Sequence, residues 1–163
     1  LAARSAAQPL GCGRRPRCDY GPTFPADYVP YGTACPGTAG IPQLAAMPGQ
    51  LPWITRSFAM TLAPLPPGQP AALCFGTSAT TWSGLTLPFD LGLLGMPGCA
   101  LLAEADIVVP VLNTAGSGSM SLVLGTSLSA GQGWFNQGFV LDAGANALGV
   151  IASNGAQGTL GGL

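Results

Sequence analysis

The stretch AALCFGTSATTWSGLTLPFDLGLLGMPGC, residues 71–99, decides the fold. It holds two apolar runs, residues 71–75 and 85–89, around a Thr- and Ser-rich turn that carries Trp82. It ends on a Pro-Gly turn at Cys99, contains no basic residue, and has Asp90 as its one charge. Short apolar runs rich in Thr and Leu and broken by Gly and Pro read as β-strands. Residues 71–77 and 83–89 are therefore expected as strands, the second with Leu85, Leu87 and Phe89 on one face.

Outward from this stretch the pattern continues. SFAMTLA, Ser57–Ala63, alternates strictly, with Phe58, Met60 and Leu62 on one face. Residues 99–103 and 107–112 read as strands joined across residues 104–106. Residues 119–125 follow the turn NTAGSG, and Gly133–Leu141 pairs with residues 147–153 across DAGAN. The tail NGAQGTLGGL is Gly-rich, with at most an edge strand. The only helical competitor, residues 91–96, contains Gly92 and Gly95 and supports one turn at most. About eight short strands between turn clusters predict an all-β fold, an antiparallel β-sandwich of jelly-roll type. Upstream, residues 11–40 are Pro- and Gly-punctuated, with one short strand expected near residues 28–31. The expected organisation is an N-terminal arm over residues 1–30 and a β-sandwich domain over residues 31–163.

Composition limits the function. The 163 residues are 48% hydrophobic, enough for a sizeable core. Only 7% are charged, against roughly 25% in ordinary soluble domains. Such a surface is weakly defended against self-association. All five basic residues are arginines, and Arg4, Arg14, Arg15 and Arg17 fall in the arm, leaving Arg56 against six acids. This asymmetry would steer the arm onto an acidic partner, including a neighbouring copy. Nucleic acid is excluded, because phosphate binding needs a basic surface. Residues 57–89 carry no charge, but Pro64, Pro66, Pro67 and Pro70 exclude a membrane-spanning helix there.

The five cysteines are Cys12, Cys18, Cys35, Cys74 and Cys99, with no C-x-x-C pair to suggest zinc or redox chemistry. Scattered cysteines in such a chain suit an extracellular location, where disulfides persist. Cys35 and Cys99 each adjoin a Pro-Gly turn and are expected to pair. Cys12 and Cys18 would close a small loop around GRRPR. Cys74, in ALCF, reads as an inert buried thiol rather than a nucleophile.

No triad can be assembled. The chain has neither His nor Lys to serve as a base for Ser or Cys. Glu104 and Asp106 have the spacing of an acid–base pair or of Ca²⁺ ligands, but capping of the turn between two strands is the expected role. Asp142 and Asn146 bracket a turn that their own side chains would stabilise. No catalytic, cofactor-binding or metal-binding residue is assigned. Trp53, Trp82 and Trp134 would suit a sugar-stacking platform, and Trp82, among Thr80, Thr81 and Ser83, is the one placed as an exposed binder would be. Packing in the core or an interface is the competing role.

The blocks FAMTLAPLPPGQPAALCFGTSATTWSGLTLPFDLGLLGMPGCALL and WFNQGFVLDAGANALGVIASNG resemble a C-terminal module of large secreted proteins of planctomycete-like bacteria. The match spans residues 31–155. The resemblance implies a secreted, β-rich, non-enzymatic part, with no catalytic residue or cofactor to carry over. Here the module makes up nearly the whole sequence and follows an Arg- and Cys-containing arm, which suggests a building block used alone.

The expected function is a non-catalytic secreted structural protein, a self-assembling subunit of an extracellular filament or surface layer. Arg4, Arg14, Arg15, Arg17 and Trp82 are the expected assembly or ligand contacts. The alternative is a glycan- or cell-surface-binding β-sandwich module.

Overall fold

The computed structural model describes residues 24–162. In chain order the strands are β1 (Asp27–Tyr31), β2 (Gln43–Ala46), β3 (Ser57–Ala63), β4 (Ala71–Gly76), β5 (Thr81–Trp82), β6 (Leu85–Thr86) and β7 (Phe89–Asp90). A 3-10 turn, Leu91–Leu94, comes next. It is followed by β8 (Ala100–Leu101), β9 (Ile107–Val111), β10 (Asn113–Thr114), β11 (Ser117–Val123), β12 (Gly133–Leu141) and β13 (Val150–Thr159). Eight of these have four or more residues, and together with the two-residue β10 they build the two main sheets.

One sheet has the order β1-β13-β12-β4-β9 and the other β10-β11-β3-β2, with antiparallel pairing throughout. The all-β class expected from the sequence is thus observed. Successive strands do not alternate between sheets as in a jelly roll. β2 and β3 are neighbours in one sheet, and β12 and β13 in the other. The first sheet also takes in Asp27–Tyr31, most of which the sequence alone assigns to the arm.

The alternation of β3 places Phe58, Met60 and Leu62 against the first sheet, each at most 1% exposed. They meet Leu73, Val140, Ile151 and Ala156 from the facing strands. Each large apolar side chain buried this way contributes about 1.5–3 kcal/mol. A polar seam crosses the same interior. The Tyr28 hydroxyl and the Asn136 amide share a hydrogen bond, and the Asn154 side chain bonds both the N–H and the C=O of Leu44.

The stretch from β5 to β8 covers the outer face of the first sheet. Leu87, Leu91, Met96, Leu101, Leu102 and Ala103 are all buried there. The Gln137 side chain, itself fully buried, fastens this cover. It accepts from Leu102 N and donates to the carbonyls of Ala100 and Ser153. The Tyr31 hydroxyl donates to Leu102 O at 2.8 Å.

Two strand expectations need correction. Residues 83–89 are not one strand. Ser83 and Gly84 take positive φ and turn the chain back, and Leu87 N bonds Thr80 O. Proline at 88 cannot donate to a ladder. Leu85 is therefore exposed while Leu87 is buried, not on one shared face. The last strand does not end at Ser153 but continues to Thr159, and it lies between β1 and β12 rather than at an edge.

Candidate functional site

Local chemistry fixes most of the residues singled out from the sequence. Cys35 and Cys99 form the expected disulfide, and Cys74 is a buried free thiol. Its Sγ donates to Gln137 O, and burial pushes the thiol up to about 11. Reactivity needs a stabilised thiolate, which this environment disfavours.

Glu104 and Asp106 lie within side-chain hydrogen-bonding reach of each other, and each is also held by a further donor. Glu104 accepts from the N–H and hydroxyl of Thr77 and from Ser78 N. These bonds, the Thr77 N–H foremost, hold its carboxyl below the usual range. Asp106 accepts from Trp82 Nε1 at 3.2 Å. Trp82 is half-buried and packs against the core. Trp134 joins a cluster with Tyr28 and Phe58, whereas Trp53 lines a neighbouring groove. The Asp142 carboxylate, 3% exposed, grips the N–H and hydroxyl of Thr38. Asn146 holds its own turn through Gly149 N and Val150 O. Among the described residues no three His, Cys, Asp or Glu side chains gather as metal ligands. No helix there is long and apolar enough to cross a membrane. Arg4, Arg14, Arg15, Arg17, Cys12 and Cys18 lie outside the described residues.

The least satisfied surface is apolar. Between the sheets, beside edge strand β9, a cleft of about 320 Å³ opens to solvent. Phe75, Ile107 and Val109 line it from β4 and β9, Met120 and Leu122 from β11, and Trp134 from β12. It exists because β9 is the last strand of its sheet, and no further strand closes the gap toward β11. Ile107 and Val108 are each 62% exposed on that edge, and Val123 on β11 is 85% exposed. Next to the cleft, and sharing Leu128 with it, lies a groove of about 690 Å³ that contains Trp53 and the exposed Arg56.

A second apolar feature stands at the other end of β12 and β13. Leu93, Leu94 and Leu148 project from two turns that Leu148 N ties together by donating to Gly95 O. Trp134 marks the cleft end of β12, and Leu141 the end toward these leucines. Sequence reasoning missed both features. The one local signal was the unbroken run IVVPVL, residues 107–112, where a half-exposed strand would alternate.

No family model, no curated protein and no solved structure matches this chain. The site therefore has to be read from its own chemistry. It offers shape and apolar area, with Arg56 in the adjoining groove and the exposed Asp106 next to the lining Ile107.

Proposed function

We propose that the chain is a non-catalytic, secreted structural subunit that associates with further copies of itself outside the cell. The observation that carries this reading is the open apolar cleft with the exposed Ile107 at its edge, beside strands that also expose Val108 and Val123 on their outer faces. Exposed apolar surface beside an uncovered strand edge is an association site unless it is shielded, and few charges are available here to shield it. The Cys35–Cys99 bridge supports an oxidising compartment.

Sedimentation velocity on the full chain across a broad concentration range tests the reading. Species that grow with concentration, and ordered assemblies by electron microscopy, are expected. Monodisperse monomers at every concentration contradict it. Monomers that bind polysaccharide would favour the glycan-binding alternative, for which the half-exposed Trp82, oriented by Asp106, is the supporting feature.

A further inference from the structure

We infer that the copies join head to tail, with the leucine projection of one copy seated in the inter-sheet cleft of the next. The inference rests on the self-association proposed above and specifies its geometry. The projection is convex and apolar, with Leu93, Leu94 and Leu148 81%, 56% and 51% exposed. The cleft is concave and apolar, and its volume of about 320 Å³ has room for leucine side chains.

Charge agrees with shape. Asp90, exposed, caps the turn that carries Leu93 and Leu94. Arg56, exposed, lies in the groove next to the cleft and is the one basic residue among those described. Seating the projection would bring the anion of one copy toward the cation of the next, and the same contact repeats at every junction.

The projection and the cleft sit at opposite ends of the nine-residue strand β12, about 25 Å apart along it. A contact between two different surfaces is heterologous, so it closes into a ring or propagates. Surfaces at opposite ends of the strands favour propagation, so the product is an open chain of copies. An arrangement of two β9 edges about a two-fold axis would stop at a dimer and leave both projections unused.

Complementation between two variants tests this. Leu93→Lys with Leu94→Lys spoils the projection at exposed positions and leaves the cleft intact. Ile107→Glu with Leu128→Glu spoils the cleft and leaves the projection intact. Each variant should retain the wild-type circular dichroism spectrum and should self-associate at least about tenfold more weakly. Mixed one to one, the two should form a dimer that grows no further. The single change Arg56→Glu, at an exposed position, provides a check independent of cleft folding and should also weaken assembly severalfold.

Assembly of the projection variant at wild-type strength overturns the head-to-tail contact while leaving self-association standing. Failure of the mixture to give a dimer, with both variants folded, overturns it too. So does loss of assembly on removing residues 1–10 with no loss in the projection variant, which would make the arm the connector. A wild-type chain that never associates instead refutes the reading beneath.

Discussion

Cys35 and Cys99 are bonded to each other across a sequence separation of 64. The bond ties the loop after β1 to the end of the segment that covers the first sheet. Cys35 N also donates to Ala152 O, so the bridge anchors the cover to β13, a central strand. Cys35→Ser or Cys99→Ser should lower stability by about 2–4 kcal/mol, read from urea unfolding with and without reductant. A loss no larger than that of a surface substitution would show that the cover is held without the bridge.

Gly158 lies beneath the Trp134 indole, where a Cβ would run into the ring. Gly155 has the same relation to the Tyr31 ring, with a built Cβ 2.6 Å from Cζ. Gly158→Ala should therefore cost at least about 1–3 kcal/mol, the range for overpacking a filled core, and should shift Trp fluorescence. A neutral Gly158→Ala would mean that the indole moves aside freely.

These glycines explain what the sequence concealed. The tail NGAQGTLGGL looks like turn material, yet its glycines leave room for aromatic rings from neighbouring strands, and it forms much of central strand β13. That need is non-local and leaves no pattern in the tail itself. β3 was legible because alternation is local, and the Cys35–Cys99 pair because both residues adjoin turns. The segment 83–89 misled because its alternating leucines outweighed the turn at Ser83 and Gly84. The cleft was illegible because it depends on which strand ends a sheet.

Gln137 is the polar fastener of the cover, bonding Leu102 N, Ala100 O and Ser153 O from a fully buried position. Gln137→Met keeps the volume and leaves these partners unsatisfied. The expected loss is at least about 3 kcal/mol, given a cost of about 1–3 kcal/mol for each of the three stranded groups. Hydrogen exchange should quicken at the Leu102 amide in particular. A protected Leu102 amide in this variant would contradict the assignment.

Alkaline pH should destabilise the fold. Burial raises Cys74 from 9.0 to about 11 and Tyr31 from 10.0 to about 12, and it raises Tyr28 further in the same direction. The folded state thus favours the protonated forms. Their contribution is complete below the unfolded pKa values and disappears as pH rises from about 9 to about 12. Urea midpoints measured from pH 8 to pH 11 should fall, and Cys74→Ala should remove part of the slope. Iodoacetamide should label Cys74 at pH 8 only when the chain is unfolded.

Self-association through apolar surface is the central claim, and sedimentation velocity of the full chain, with its disulfide intact, tests it most directly. The account predicts weight-average mass rising continuously with concentration, without a plateau at the dimer. A single species at the 16.2 kDa monomer mass throughout the series would contradict it.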